Sequence, residues 1–221
     1  MSRSPHQLAV FDCDGVLVDT ERLTVGVEAR VLTEMGWPHT PQEVVSRWMG
    51  RSSEAQLSEV RARLGAGTAR RFDEVLTAEL LATFESELTA VDGVPELLAR
   101  LEGAEVDVCV ASSGTHDRIR LTLGLTGLLD RFGGRVYSAS DVPHGKPAPD
   151  LFLHAATSMG VEPGACAVVE DSGYGVLAGV AAGMTVYGFG GGLAPPAELV
   201  RAGAAVVFDT MTDLGDLLLT P

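Results

Sequence analysis

Positive charge and long hydrophobic runs are both scarce in this sequence of 221 residues, and each shortage argues against a class of protein. The formal net charge is −14 at pH 7, which argues against general nucleic-acid binding because that function needs a basic face. No run approaches the roughly 18 consecutive apolar residues of a membrane span. A phosphorylated substrate remains compatible with the acidity, since a local cation can invert the field of a site.

Cysteine is scarce as well. The sequence contains Cys13, Cys109 and Cys166, an odd number without a C-x-x-C pair or a metal-type spacing. The first fifteen residues, MSRSPHQLAVFDCDG, include no apolar stretch of signal-peptide length. We therefore expect a cytoplasmic protein with reduced thiols, in which Cys109 and Cys166 belong to the core.

Lysine is the scarcest charged residue, because Lys146 is the single lysine among 16 basic residues. It lies in the segment 144–150, HGKPAPD, where glycine and prolines restrict the loop. A lysine kept in such a setting indicates a specific role.

The segment 8–19, LAVFDCDGVLVD, is the most informative stretch that is present. Its apolar start, residues 8–11, predicts a strand buried on both faces. The strand ends at Asp12 and Asp14, followed by Gly15. Open α/β sheets bind ligands at the carboxyl edge, so two acids at a strand end could converge on one ion or one reacting atom.

Three interpretations of this segment compete. The first is a strand followed by an ordinary acidic turn. The second is an EF-hand calcium loop, which needs an oxygen ligand two residues after Asp14 and a glutamate at the twelfth position. Those positions are Val16 and Leu23, which excludes that loop. The third is a carboxylate nucleophile with a partner acid and a bound cation.

The pattern of apolar residues divides the chain into two parts. From residue 20 to residue 90 it is helical, with Leu23, Val27, Val31 and Met35 four residues apart, and no strand-like run interrupts it. Residues 1–19 and 91–221 instead alternate strand-like and helix-like stretches. This alternation predicts an α/β core with a doubly wound parallel sheet, into which a helical domain of residues 20–90 is inserted.

Polar side chains follow four of the predicted strands: Asp12 with Asp14, Ser112, Lys146, and Glu170 with Asp171. Each has a structural alternative. Ser112 alone is better explained as a helix N-cap, Lys146 alone as a solvated loop residue, and the acidic pair as a turn. Their joint occurrence favours a site, because the carboxyl ends of parallel strands meet at one edge.

The chemistry of a phosphate ester explains this combination of residue types. A carboxylate nucleophile repels the ester, at a cost on the order of 4 kcal/mol for charges about 4 Å apart at an effective dielectric near 20. A divalent cation and a lysine would offset this repulsion, and a hydroxyl such as that of Ser112 would donate to a phosphoryl oxygen. Asp14 is then left as the acid that protonates the leaving oxygen.

The segments FDCDGVLVDTE, ASSG, GKPAPD and VVEDSGYG, taken together and in this order, are highly specific. In these motifs the sequence resembles the haloacid dehalogenase-like hydrolases, in particular the β-phosphoglucomutase-like phosphatases with a helical cap. The resemblance covers nearly the whole chain. The resemblance implies that Asp12 is the nucleophile that forms an aspartyl-phosphate. It implies that Asp14 is first the general acid and then the base that activates water. The insert 20–90 would be a mobile cap that excludes water.

The same resemblance implies two sets of binding residues. The phosphoryl group would be bound by Ser112, Ser113 and Lys146. The cofactor would be Mg²⁺, held by Asp12, the backbone carbonyl of Asp14, Glu170 and Asp171.

Differences between this sequence and the motifs of related enzymes argue against some of the possible activities. Asp14 argues against the dehalogenases, which resemble this pattern but lack that acid. The phosphonate hydrolases of this group form a Schiff base on a lysine of the cap, and the segment 20–90 contains no lysine. β-Phosphoglucomutases carry a histidine in the first cap helix and an arginine in the cap substrate loop, and the corresponding positions fall on Thr24 and near Ser53. The loss of the histidine disfavours mutase chemistry. We therefore predict a phosphatase for a small sugar or polyol phosphate, with a phosphosugar mutase as the alternative.

Specificity should depend on the cap, where Glu21 and Arg51 are the candidate residues. A phospho-aspartate signalling switch is an alternative from a different class, because receiver domains also combine acids, a Ser/Thr and a Lys on a parallel sheet. Their acid pair and phosphorylated aspartate lie on different strands and they have no helical cap, which argues against a switch here. We expect a monomer with no nucleic-acid or membrane partner.

Overall fold

The computed structural model describes residues 5–48 and 53–220. The chain divides into two compact units, one formed by Met1–Asp19 with Thr89–Pro221 and the other by Thr20–Leu88. The second unit lies within the segment 20–90 for which a helical insert was predicted. None of the helices in the described ranges has both the length and the apolar character that crossing a membrane requires.

A parallel sheet organises the first unit. Within the described residues it has six strands in the order β3-β2-β1-β4-β5-β6. The strands are β1 Leu8–Phe11, β2 Asp107–Ser112, β3 Val136–Ser138, β4 Cys166–Glu170, β5 Thr185–Phe189 and β6 Val206–Phe208. Strand β1 is central, with Phe11 level with Val110 of β2 and Val169 of β4, so the segments that follow these three strands leave the sheet side by side.

The second unit is helical. Its helices in the described residues are α1 Thr20–Glu34, α2 Pro41–Trp48, α3 Ser53–Leu64 and α4 Ala66–Glu87. Helix α2 begins with a capping box, in which the Glu43 N–H donates to the Thr40 hydroxyl at 3.3 Å and the Thr40 N–H donates to the Glu43 carboxylate at 2.7 Å. Val31 of α1 and Phe72 of α4 are fully buried, which gives this unit apolar packing of its own.

The other helices belong to the first unit: α5 Val94–Gly103, α6 His116–Leu125, α7 Leu129–Phe132, α8 Asp150–Met159, α9 Gly173–Ala181, α10 Pro196–Ala202 and α11 Met211–Leu219. All four residues of β1 are fully buried, as expected for a strand covered on both faces. Cys109 and Cys166 lie in the same core, which confirms their predicted burial. The predicted α/β fold with a parallel sheet is therefore confirmed.

The segment 135–140, RVYSAS, has a strand-like sequence, but strand β3 is shorter than this segment. It ends at Ser138, whose hydroxyl accepts a hydrogen bond from the Ser140 N–H at 3.0 Å. The Ser138 N–H in turn donates to the Asp141 carboxylate at 2.9 Å, which closes a capping box over a 3₁₀ turn at Ala139–Asp141. These side-chain bonds compete with strand pairing, and strand periodicity does not reveal them.

Candidate active site

The chain turns immediately after β1, and this turn separates the two acids of the first motif. Asp12 still belongs to the sheet, because its N–H donates to the Val169 carbonyl at 3.0 Å. The turn that follows is closed by the Leu17 N–H, which donates to the Cys13 carbonyl at 3.0 Å, and it includes Gly15 at φ 79°, a conformation that favours glycine. Asp12 is therefore buried at the sheet edge, and Asp14 leaves the edge on the turn.

Lys146 is buried between two carboxylates, and its side chain is only 5% exposed. Its ammonium donates to Asp12 Oδ1 at 2.5 Å, to Glu170 Oε1 at 2.6 Å and to the Ala111 carbonyl at 3.1 Å. Its Nζ also lies 5.0 Å from the centre of the Phe152 ring. The alternative of a solvated loop lysine is therefore wrong.

Burial and the attraction between opposite charges act in opposite directions on the protonation of Asp12 and Lys146. Loss of hydration raises the pKa of Asp12 to about 8, although the attraction of Lys146 acts in the opposite direction. Burial by itself would lower the pKa of Lys146, but attraction by Asp12 and Glu170 outweighs it and raises that pKa above its ordinary value. Lys146 is therefore a permanent positive charge at neutral pH.

Glu170 is held by both of its oxygens. Oε1 accepts from Lys146, and Oε2 accepts from the Ser172 N–H at 3.1 Å and the Ser172 hydroxyl at 2.9 Å. The same hydroxyl accepts from the Gly175 N–H at 3.1 Å and caps α9. Metal binding by Glu170 would therefore have to share an oxygen with one of these donors. The role of Ser172 in holding Glu170 could not be predicted from the sequence, because its position after two acids indicates only a helix cap.

Helix α9 approaches Glu170 so closely that a side chain at Gly175 would overlap the carboxyl group. We expect Gly175→Ala to displace Glu170 and with it Lys146. The expected loss of kcat is about 10- to 100-fold, as for small misplacements of catalytic groups, with a destabilisation of about 1–3 kcal/mol. Phosphate-release kinetics and thermal denaturation measure the two effects.

The matched control for this prediction is Gly124→Ala in α6, where an added Cβ meets nothing within 4 Å. This variant should keep full activity and lose no stability, because alanine is a better helix former than glycine. A Gly175→Ala enzyme that is as active as the control would contradict the prediction.

The acids at this edge fit a divalent cation. Asp171 is buried, and a Cβ at Gly192 would lie 2.9 Å from its Oδ2. Among the described residues here, three buried carboxylates, those of Asp12, Glu170 and Asp171, accompany the one ammonium of Lys146. A bound cation would balance this excess of negative charge.

The number of side-chain ligands decides which kind of metal site is compatible with the structure. No group of three or more His, Cys, Asp or Glu side chains in the described ranges is arranged to hold a metal. Mg²⁺ needs fewer, because it is usually bound by one or two carboxylates together with water and substrate phosphates. Asp12 and Asp171 could supply such a pair.

Ser112 ends β2 and is buried, and its hydroxyl accepts a hydrogen bond from the Gly114 N–H at 3.1 Å. The N-cap of α6 is Thr115, whose side chain accepts a backbone hydrogen bond in the first turn. The alternative in which Ser112 caps a helix is therefore wrong. Ser113 is exposed, and the Ser138 hydroxyl ties the loop to β3 by donating to the Gly114 carbonyl at 2.6 Å.

Arg118 is a further residue at this edge that sequence reasoning missed. Its Nη2 donates to Asp14 Oδ1 at 3.3 Å, across 104 positions of the chain. Nothing in the local sequence distinguishes this arginine from the others on helix surfaces. Each acid of the first motif thus contacts a cation, Asp12 through Lys146 and Asp14 through Arg118.

The predicted specificity residues belong to the helical part of the chain. Glu21 is half-buried in the first turn of α1, and Arg51 lies outside the described residues. Thr24, which occupies the position of the mutase histidine, lies in α1. The roles of Glu21 and Arg51 therefore stay predictions.

Comparison with known proteins identifies the family. The family model of haloacid dehalogenase-like hydrolases matches residues 6–183. The chain belongs to this family, which confirms the resemblance and the predicted enzyme class, a phosphoric monoester hydrolase.

Three similar proteins illustrate the relationship. The chain is 33% identical over 180 residues to 6-phosphogluconate phosphatase of Escherichia coli (strain K12), covering 81% of this chain and 80% of the relative. It is 28% identical over 185 residues to hexitol phosphatase B of the same strain, covering 82% and 83%. A hydrolase structure from Deinococcus radiodurans R1 with bound phosphate and sodium has a TM-score of 0.85 at 33% identity and covers 99% of both chains.

Proposed function

We propose that the chain is a Mg²⁺-dependent phosphatase that hydrolyses a small sugar or polyol phosphate through an aspartyl-phosphate intermediate. The observation that carries this proposal is the buried ammonium of Lys146, 2.5 Å from Asp12 and 2.6 Å from Glu170. A carboxylate held against a permanent positive charge suits attack on an anion, because the ammonium offsets their repulsion. The names of the relatives, a 6-phosphogluconate phosphatase and a hexitol phosphatase, support the substrate class.

In the first step an oxygen of Asp12 forms a bond to phosphorus, and the bond between phosphorus and the ester oxygen breaks. Asp14 gives a proton to that oxygen, so the substrate leaves as an alcohol. Lys146, Ser112 and Ser113 bind the phosphoryl oxygens as charged or polar donors. The enzyme is left with the phosphoryl group on Asp12 and with Asp14 deprotonated.

In the second step water attacks the phosphorus, and the bond between phosphorus and Asp12 breaks. Asp14 takes a proton from this water, which returns both acids to their starting state and releases inorganic phosphate. The same carboxyl group thus serves as acid and then as base, so no other proton carrier is needed.

Asp12, Asp171 and the backbone carbonyl of Asp14 would hold Mg²⁺, with Glu170 as a further predicted ligand. When bound, the ion neutralises charge on the phosphoryl oxygens and on Asp12. Because burial raises the pKa of Asp12 to about 8, additional positive charge favours its ionised, nucleophilic form at neutral pH.

The segment 20–90 would act as a cap that selects the substrate, with Glu21 and Arg51 as specificity residues. If Arg51 contacts the substrate, Arg51→Ala lowers kcat/KM for the best sugar or polyol phosphate. An unchanged kcat/KM would remove Arg51 from this role.

Phosphate release from a panel of sugar, polyol and nucleotide phosphates tests the proposed function. We expect many turnovers per enzyme with Mg²⁺, greatest for sugar or polyol phosphates, and loss of activity when EDTA removes the metal. A stable phosphorylated protein without turnover would support the signalling switch instead. Movement of the phosphoryl group between positions of one sugar would support the mutase.

A further inference from the structure

The contact between Arg118 and Asp14 lies beside a buried contact between the two segments that carry these residues. In the first turn of α6 the Arg118 N–H donates to the Thr115 hydroxyl at 3.4 Å, which anchors the backbone of this arginine. One turn later, on the same side of α6, the hydroxyl of Thr122 lies 3.7 Å from the sulfur of Cys13. Cys13 lies between the two acids, and both Cys13 and Thr122 are fully buried. Through this contact helix α6 packs against the turn that follows β1 and carries Asp14, and Arg118 therefore lies close to Asp14.

The ion pair contributes little to stability. The Arg118 side chain is 39% exposed and that of Asp14 26%, and the separation is 3.3 Å. Exposed pairs of this kind are typically worth about 0–1 kcal/mol. Removing the guanidinium should therefore leave the fold intact, and an effect on turnover would have to come from the site itself.

We propose that Arg118 is a positioning residue that directs the Asp14 carboxyl group toward the leaving oxygen of the substrate. The guanidinium holds Oδ1, which restrains rotation of the carboxyl group and so sets the direction of its other oxygen. A proton donor must lie within hydrogen-bond reach of the atom that it protonates, so loss of this restraint slows proton transfer. The inference rests on the proposed function, in which Asp14 protonates that oxygen.

Two substrates whose leaving groups differ in basicity can distinguish a role of Arg118 in positioning Asp14 from other roles of this arginine. Phenyl phosphate and p-nitrophenyl phosphate share one ring, but phenolate needs the proton far more than p-nitrophenolate does. The measured quantity is kcat/KM, because it reports phosphoryl transfer to Asp12 and is unaffected by the later reaction with water. If Asp14 is wrongly positioned, kcat/KM should therefore fall for phenyl phosphate, the ester with the more basic leaving group.

The test compares wild type with Arg118→Ala and Arg118→Lys on both esters, with Mg²⁺ present. We expect Arg118→Ala to lower kcat/KM about 10- to 100-fold for phenyl phosphate and less than about threefold for p-nitrophenyl phosphate, and Arg118→Lys to recover part of the loss. An initial burst of p-nitrophenol should appear in Arg118→Ala, since Asp14 also serves the second step. Arg120→Ala, an exposed arginine on the same helix, is the matched control and should behave as wild type.

Equal losses on both esters, or no loss on either, would overturn the positioning role. An equal loss points to a substrate contact or a folding defect, and thermal denaturation of the variant distinguishes these two. If the wild type releases phosphate from neither ester nor from any member of the metabolite panel, the proposed function itself fails. That result involves no Arg118 variant, so the two failures are distinguishable.

Discussion

Asp12→Asn is expected to lower kcat for phosphate release by about 10⁴-fold or more. An amide does not attack phosphorus, and loss of a catalytic nucleophile costs this much in well-studied hydrolases. The substitution keeps the shape of the side chain, and the residue as a whole is only 7% exposed, so the sheet should remain folded. Release of inorganic phosphate from the best substrate, with Mg²⁺ present, measures the effect.

A second readout identifies the intermediate directly. Wild type quenched in acid during turnover should carry one phosphoryl group by mass spectrometry, and Asp12→Asn should carry none. Asp130→Asn is the matched control, because Asp130 is exposed on α7, and it should behave as wild type. Asp12→Asn activity within tenfold of wild type would show that another group attacks phosphorus.

Lys146→Met is expected to abolish most of the activity and to destabilise the first unit. Methionine fills a similar volume without charge, so Asp12 and Glu170 remain buried without the ammonium that lies 2.5 Å from one and 2.6 Å from the other. Breaking a buried ion pair in this way typically costs about 3–5 kcal/mol. Denaturant unfolding in EDTA, followed at several pH values, measures this cost.

The destabilisation of Lys146→Met should grow with pH. The pKa of Asp12 is already raised to about 8 by burial, and removing Lys146 takes away the attraction that opposes this rise. In the folded variant Asp12 then binds its proton more tightly than it does in the folded wild type. The wild-type carboxyl ionises near pH 8, so the extra loss of stability in the variant grows as pH rises above about 8. We expect a smaller loss relative to wild type at about pH 7 than at about pH 9.5, and the opposite trend would contradict this account.

A double variant shows whether the stability lost in Lys146→Met comes from unpaired buried charge or from poor packing of the methionine. Adding Glu170→Gln to Lys146→Met removes one of the two buried carboxylates, so part of the lost stability should return at about pH 8. Activity should not return, because the phosphoryl group still lacks its lysine. If the double variant is no more stable than Lys146→Met, packing around the methionine rather than charge explains the loss.

Much of the fold could be predicted because its signals are local. A continuous apolar run at Leu8–Phe11, alternation of strands and helices, and a Thr40–Glu43 capping box each depend on residues a few positions apart. Strand β3 shows the limit of this approach. Its end is decided by the Ser138 and Asp141 side chains, which replace strand pairing with a capped turn.

The candidate site was predictable as a set of residues, because parallel strands bring their carboxyl ends to one edge whatever the details of packing. The preference for Ser112 as an N-cap failed because Thr115, three residues later, occupies that position. The solvated alternative for Lys146 failed because a residue's neighbours in sequence do not reveal its burial.

The sequence by itself determined the family, the parallel sheet and the identity of the acids, because order along the chain and periodicity carry that information. Only the tertiary structure decided which charges meet. Lys146 reaches Asp12 across 134 positions and Arg118 reaches Asp14 across 104, and both contacts depend on how loops and helices pack against the sheet. The need for glycine at position 175 has the same origin, since it arises from the space that Glu170 occupies once α9 is packed. Such contacts follow from packing in three dimensions, which no local pattern of residues encodes.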